Sequence, residues 1–168
     1  MDLTKRLIPL LNQLERNDLV FQIVLPKTLK KEDVFCSFEI KPSVKLFDFG
    51  SLDFAKAIRQ SEYAIISGGI TRYECIAAKT FFIAISIHHA QYELTALTTK
   101  YGFGCNFGVS NELKLRDLKQ YIETLSLNPE LPNPATQAVY LKKGAALRTF
   151  KTVIEVINKN ESKISDYN

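Results

Sequence analysis

The stretch "YAIISGGITRYECIAAKTFFIAISI", residues 63–87, places two strongly apolar runs on either side of a segment that opens with two glycines. The runs YAIIS and TFFIAISI carry apolar side chains at almost every position, which is typical of strands covered on both faces of a parallel sheet. Residues 71–79, which follow the two glycines, have the length and composition of a helix. The order strand, helix, strand predicts a parallel βαβ unit.

The alternation of strands and helices continues on both sides of this unit. Leucines spaced by three and four predict a first helix over 3–15, with Asp2 or Thr4 as its cap and a kink at Pro9. Ser51 is expected to cap a helix over 51–60. The remaining predicted segments are strands over 19–26 and 44–50, a charged connector between them that includes Lys27, Lys30 and Lys31, a helix over 90–102 closed by Gly102, an edge strand over 105–109, and helices over 111–125 and 135–158.

Composition supports one globular domain, and the alternation of strands with helices supports the α/β class. The 168 residues are 46% hydrophobic and 24% charged, which suits a single core within residues 1–160 followed by a polar, frayed tail over 161–168. We therefore expect a Rossmann-like parallel sheet with helices on both faces. The net charge of +4, from 22 basic and 18 acidic residues, can attract a phosphorylated ligand but is too small to indicate nucleic-acid binding.

The cysteines and the apolar runs indicate a cytoplasmic chain. Cys36, Cys75 and Cys105 are odd in number, far apart and without a CxxC spacing, so neither a disulfide framework nor a zinc site is expected. The most apolar run, TFFIAISI, is much shorter than the roughly 20 residues that span a bilayer. We expect no membrane span and no secretion signal.

The turn at Gly68-Gly69 supports two interpretations. In a parallel sheet, ligands bind beyond the carboxyl ends of the strands, where helix N-termini present free N–H groups. The glycines and the N–H groups of Ile70 and Thr71 could then hold a diphosphate. Alternatively, the turn only packs tightly and is followed by a capped helix, because Thr71-x-x-Glu74 also fits a capping box. The local pattern does not separate the two.

Two charged residues after the glycines carry the same ambiguity. If the carboxylate of Glu74 faces the ligand cleft, its two oxygens can accept hydrogen bonds from both hydroxyls of a ribose. Arg72 can contribute a positive charge to a phosphate, but at such a position it is more often a solvated residue of the first helical turn.

Polar residues after the second strand are expected at the same edge of the sheet. His88, His89 and Gln91 follow the run FFIAISI directly. Gln91 offers a donor and an acceptor to a sugar, or else it is an ordinary first-turn residue. A histidine here could act as a general base, although no partner carboxylate or nucleophile can be named. Two adjacent histidines without a third are a poor metal site, and none is expected.

As a set, residues 61–104 resemble the C-terminal half of GT-B nucleotide-sugar enzymes. The shared pattern is a strand, Ser-Gly-Gly, a threonine, a glutamate three residues later, a strand, a turn containing glutamine, and a helix ending in glycine. Within that superfamily the chain is most similar to the glycosyltransferase family 28 C-terminal-like branch, which holds a pseudaminic-acid pathway UDP-sugar hydrolase and spore-coat polysaccharide proteins. The segment LKKGAALRTFKTVIEVI is similar to the last helix of that branch. The match is good over 52–104 and loose elsewhere.

The resemblance implies a site and a ligand. It assigns the diphosphate to Gly68, Gly69, Ile70 and Thr71, and the ribose hydroxyls to Glu74. It assigns the sugar to His89 and Gln91. No catalytic residue, metal or cofactor is assigned, and the ligand implied is UDP or a UDP-sugar.

Three departures qualify the implied function. Lys79-Thr80-Phe81 replaces the Gly-Pro entry into the second strand, and His88-His89-Ala90 replaces a polar turn. The family's first strand, with its own glycine turn, and its N-terminal Rossmann-like domain have no counterpart before the helix at 3–15. That strand lies at the centre of the family's sheet. Its neighbours must therefore close up, another chain must supply the strand, or the sequence is a fragment.

Three functions remain open on sequence alone. The first is the UDP-sugar-binding half of a GT-B glycosyltransferase or UDP-sugar hydrolase of surface polysaccharide or nonulosonic acid biosynthesis, which needs an N-terminal partner half for turnover. Its expected protein partner is a separate N-terminal GT-B half or a second copy of the chain. The second is a non-catalytic remnant or interaction module that keeps the fold. The third, an unrelated Rossmann-like cofactor domain, lacks the G-x-G-x-x-G fingerprint.

Overall fold

Strands and helices alternate along residues 3–132, the part of the chain that the computed structural model describes. The helices are α1 (Leu3–Asn12), α2 (Lys31–Ser37), α3 (Phe54–Arg59), α4 (Thr71–Ala78), α5 (His89–Thr99) and α6 (Leu115–Glu123). The strands are β1 (Phe21–Val24), β2 (Val44–Phe47), β3 (Tyr63–Ile66), β4 (Phe81–Ser86) and β5 (Gly104–Val109). The closing helix predicted over 135–158 and the polar tail over 161–168 lie outside the described residues.

Every strand pair among these elements is parallel. β1 pairs with β2 from Phe21 opposite Val44 onwards. In the other sheet β4 lies between β3 and β5, and a register shift occurs between Ala84 and Ser86. The predicted α/β class with a parallel, Rossmann-like arrangement is confirmed. The edge position predicted for β5 is also found.

The strands form two sheets, β1-β2 and β3-β4-β5, where the sequence predicted one sheet. The N–H groups of Phe21 and Leu25 donate to the carbonyls of Ser43 and Phe47, on the side of β2. Because alternate residues of a strand direct their backbone groups to opposite sides, those of Gln22 and Val24 point away from β2. No hydrogen bond within residues 3–132 uses these groups. Among residues 3–132, the edge of β1 opposite β2 is therefore unpaired.

The same geometry leaves a free edge on β3. The N–H of Phe81 donates to the carbonyl of Glu62, so the backbone groups of Tyr63 and Ile65 point away from β4. In the described part of the chain they have no backbone partner. The sequence left three explanations for the missing central strand: its neighbours close up, another chain supplies the strand, or the sequence is a fragment. The first is not observed, because β1-β2 and β3-β4-β5 do not join into one ladder among the described residues.

Both sheets nevertheless contribute to one hydrophobic core. β4 is buried on both faces, as its uninterrupted apolar run predicts. Leu46 of β2 and Ile83 of β4 belong to the same cluster of buried side chains. Its other most buried members are Ile8, Leu11, Leu14, Leu25, Val34, Ile85, Leu118 and Ile122.

Two arginines from the first segment of the chain tie it to the last described helix. The guanidinium of Arg16 donates to the carbonyls of Ile122, Glu123 and Leu125 and so satisfies acceptors that the end of α6 leaves unpaired. Arg6 similarly donates to the carbonyls of Ser110 and Leu113, just before α6.

Two local predictions are wrong. Helix α2 occupies part of the segment predicted as a charged connector. The sequence did not indicate this helix, because only Val34 faces the core and the segment lacks an apolar stripe. Asp53, not Ser51, caps α3: its carboxylate accepts from the N–H of Lys56 at 2.9 Å. The hydroxyl of Ser51 instead donates to the carbonyl of Asp48 in the preceding turn.

Helix α1 runs through Pro9 and ends at Asn12, three residues before its predicted end. Among the helices of residues 3–132, none combines the length and the apolarity that crossing a membrane requires.

Candidate functional site

The turns that follow β3 and β4 meet at the carboxyl edge of the three-stranded sheet. The two strands are parallel neighbours, so both turns leave the sheet on the same side. The hydroxyl of Thr95 on α5 donates to the carbonyl of Gly68 at 3.3 Å. The side-chain Nε2 of Gln91 lies 3.8 Å from the position that a Cβ on Gly69 would take. The structure thus brings Gly68, Gly69 and Gln91 together.

The two glycines of this corner differ in what they require. Gly68 has φ +75°, and a Cβ there would lie 2.6 Å from Oγ1 of Thr95 and 2.9 Å from Oγ of Ser86. A Cβ on Gly69 would meet nothing closer than Nε2 of Gln91 at 3.8 Å. Gly68 is therefore needed for the turn itself, whereas Gly69 leaves open space beside the amide of Gln91.

The N-terminus of α4 is not capped by a side chain. Ile70 occupies the cap position in a helical conformation, and neither Thr71 nor Glu74 forms the predicted capping box. The carboxylate of Glu74 is exposed. Within residues 3–132, no hydrogen bond uses the N–H groups of Gly69, Ile70 or Thr71. The capping-box interpretation is therefore wrong, and three donors point away from the helix.

Arg72 is buried, with 5% of its surface exposed, so the prediction of a solvated first-turn residue is wrong. Its Nη1 donates to the carbonyls of Gly68 at 2.7 Å and Gly69 at 2.9 Å. Its Nη2 donates to the hydroxyl of Tyr73 at 3.0 Å, and the guanidinium carbon lies 4.4 Å from the centre of that ring. The side chain therefore holds the glycine corner from inside the protein.

Two buried polar atoms beside the corner have no partner in the described part of the chain: Nε of Arg72 and Oγ of Ser86. Ser86 is fully buried at the end of β4, close to Gly68. Neither Ser86 nor Thr95 is among the site residues predicted from the sequence. The available signal was a hydroxyl residue at the end of an otherwise apolar strand and another on the inner face of the next helix.

In the turn after β4, the side chain of Gln91 is held by a backbone hydrogen bond, whereas His88 and His89 are exposed. Oε1 of Gln91 accepts from the N–H of Ile87 at 2.9 Å, so its amide group is turned with Nε2 toward the glycines. Nε2 of His89 lies 3.7 Å from Oε1 of Glu112, in the segment after β5. Glu112 is the partner carboxylate that the sequence could not name, because it follows a different strand.

Among residues 3–132, no three His, Cys, Asp or Glu side chains converge as metal ligands. A shallow cavity of about 270 Å³ lies near the amino end of β3, lined in part by Arg59, Glu62 and Lys79. That cavity includes none of the predicted site residues. The chemistry of the carboxyl edge is therefore that of N–H donors unused within residues 3–132, the exposed carboxylate of Glu74, the amide of Gln91 and the pair of His89 and Glu112.

Cys75, next to Glu74, is not available as a nucleophile. Its side chain is fully buried, and burial, with a smaller contribution from the charge of Glu74, raises the pKa of the thiol to about 12. The thiolate is the reactive form of cysteine, so this residue is chemically inert in the folded protein.

Native alkylation with iodoacetamide at mildly alkaline pH should therefore modify exposed Cys36 and leave Cys75 unmodified. Peptide mass spectrometry measures both residues in one sample. After unfolding in guanidinium chloride, both should react, which controls for peptide recovery. Equal labelling of the two residues in the native protein would contradict the burial of Cys75.

No protein-family model, curated protein or solved structure matches this chain. The assignment of a ligand therefore depends on the geometry of the carboxyl edge and on the sequence resemblance. The geometry favours a ligand that accepts hydrogen bonds at an anionic group and donates them from neighbouring hydroxyls.

Proposed function

We propose that this chain binds a nucleotide sugar of the UDP class at the carboxyl edge of β3 and β4. The observation that carries the proposal is the uncapped N-terminus of α4, where the N–H groups of Gly69, Ile70 and Thr71 are unused within the described residues. Backbone donors and the helix dipole together favour an anion such as a diphosphate at this place. Gly69 lacks a side chain that would block its approach.

The neighbouring side chains fit the rest of such a ligand. Glu74 lies one turn into α4, and its exposed carboxylate can accept from both hydroxyls of the ribose. Nε2 of Gln91 remains available for a sugar oxygen, because Oε1 already accepts from the backbone. His89 is the second residue proposed to face the sugar, and its ring lies beside Glu112.

Turnover is proposed to require a second protein surface, an N-terminal GT-B half being the partner that the resemblance implies. Residues of one sheet edge can hold a ligand on one side only, and a glycosyl transfer or hydrolysis needs reacting groups placed on the other side. The isolated chain is therefore proposed to bind UDP without catalysing a reaction. Transferase and hydrolase remain equal candidates for the assembled activity.

A second candidate function is a non-catalytic interaction module. The edges of β1 and β3 that are unpaired within residues 3–132 favour it, because unpaired strand edges are ready templates for pairing with another chain. In that case the protein would bind a partner without binding UDP.

Isothermal titration calorimetry with UDP distinguishes the two. The wild-type chain should bind UDP, and Glu74→Ala should weaken binding about tenfold or more, because the carboxylate that accepts hydrogen bonds from both ribose hydroxyls is lost. Glu62→Ala is the matched control: it removes an exposed carboxylate at the amino end of β3 and should leave the affinity unchanged. Circular dichroism checks that both variants fold. Absence of binding by the wild type at millimolar UDP would overturn the proposed function.

A further inference from the structure

The guanidinium of Arg72 is a buried positive charge without a counter-charge in the described part of the chain. No carboxylate of residues 3–132 forms an ion pair with it, and its neutral partners are two backbone carbonyls and the hydroxyl of Tyr73. Nε has no partner there at all. A buried ionised group is unfavourable unless it is paired and fully hydrogen-bonded, so this site is electrostatically incomplete.

The same side chain also sets the orientation of the glycine corner. By donating to the carbonyls of Gly68 and Gly69, Arg72 turns these acceptors toward the protein interior. A carbonyl at the surface of the corner would repel an anion. With the carbonyls held inside, the donors of the α4 N-terminus are left as the polar groups that an approaching ligand meets.

We propose that Arg72 is a positioning residue that makes this corner selective for a phosphoryl anion of high charge, a diphosphate over a monophosphate or a neutral group. The proposal deepens the proposed function and rests on it. The anion supplies the counter-charge that residues 3–132 do not provide to the buried guanidinium, acting through the glycine corner and without direct contact with Arg72. The attraction is strong at this place because burial of the guanidinium reduces its screening by water and salt.

A purely structural role for Arg72 predicts something different. If the side chain only fixed the turn, its loss would weaken the fold and reduce the binding of pyrophosphate and phosphate by the same factor, because both use the same N–H donors of the corner. If its charge matters, the loss must grow with the charge of the ligand. Inorganic pyrophosphate, inorganic phosphate and neutral uridine therefore serve as three probes of one site.

The test compares the wild type with Arg72→Gln, which keeps hydrogen-bond donors without the charge, and Arg72→Lys, which keeps the charge. Binding of each probe is measured by calorimetry at low and at physiological ionic strength, and folding is checked by circular dichroism and thermal melting. We expect Arg72→Gln to weaken pyrophosphate binding about tenfold or more, phosphate binding less, and uridine binding little. Arg72→Lys should retain most of the pyrophosphate affinity.

The outcomes separate this inference from the proposed function. Equal weakening of pyrophosphate and phosphate in Arg72→Gln, or no weakening of pyrophosphate, overturns the role of Arg72 while UDP binding by the wild type still supports the proposed function. If the wild type binds pyrophosphate but not UDP, the proposed nucleotide-sugar function fails and the role of Arg72 is judged on pyrophosphate alone. If Arg72→Gln does not fold, Arg72→Lys provides the test. A folded Arg72→Lys variant that no longer binds pyrophosphate overturns the inference.

Discussion

Gly104→Ala is expected to destabilise the protein by about 3 kcal/mol or more, the largest effect of any single substitution considered for this chain. Gly104 lies opposite Phe82 in the β4–β5 pair, and a Cβ there would lie 2.2 Å from the carbonyl oxygen of Phe82. Two atoms of the Phe82 ring would lie at 2.5 and 2.7 Å. Backbone and a fully buried ring cannot both give way, so β5 must move off β4.

Urea unfolding followed by circular dichroism measures this loss. Gly108→Ala is the matched control on the same strand: Gly108 has φ +86°, but a Cβ on it would meet nothing within 4 Å. That variant should lose only about 1 kcal/mol through its left-handed backbone conformation. A loss at position 104 no larger than the loss at 108 would show that the two strands are not in close contact at Phe82.

Gly68→Ala is expected to destabilise the protein by about 2–3 kcal/mol and to weaken UDP binding about tenfold or more. The new Cβ combines a left-handed backbone at φ +75° with contacts of 2.6 Å to Thr95 and 2.9 Å to Ser86. The Thr95 hydroxyl already donates to the carbonyls of Gln91 and Gly68, so moving it disturbs hydrogen bonds on both sides of the site.

Gly50→Ala provides the control for backbone strain alone. Gly50 has φ +82° and open space around its Cβ position, so alanine there should lose about 1 kcal/mol and leave UDP binding intact. Thermal melting and calorimetry on both variants give the comparison. If Gly68→Ala and Gly50→Ala were equally stable and Gly68→Ala bound UDP as tightly as the wild type, the glycine corner would not be part of the binding site.

The class of fold and the order of its main elements could be predicted from sequence, because β4 carries a continuous apolar run and segments of helical length alternate with the apolar runs. β4 is the clearest example: a parallel strand buried on both faces needs apolar residues at consecutive positions, and few other structures do. Helix α2 was missed because only Val34 is buried, and one apolar position defines no period. The cap of α3 was misplaced because Ser51 and Asp53 are both good capping residues.

The candidate site could be located from sequence but its electrostatics could not. The carboxyl ends of neighbouring parallel strands must meet, so the proximity of Gly68 and Gln91 follows from topology. Whether Arg72 points outward or inward depends on the space behind the turn, which depends on distant residues such as Ser86 and Thr95. The pairing of His89 with Glu112 likewise joins segments that no local pattern connects.

The division of the sheet determines how the molecule responds to temperature. Within residues 3–132, no backbone hydrogen bond joins β1-β2 to β3-β4-β5, and the two sheets are held together by shared apolar packing and by side chains such as Arg16. In an undivided sheet a continuous ladder would cross this junction. Hydrophobic attraction weakens as water is cooled, so we expect cooling to weaken this junction more than the hydrogen-bonded ladders within each sheet.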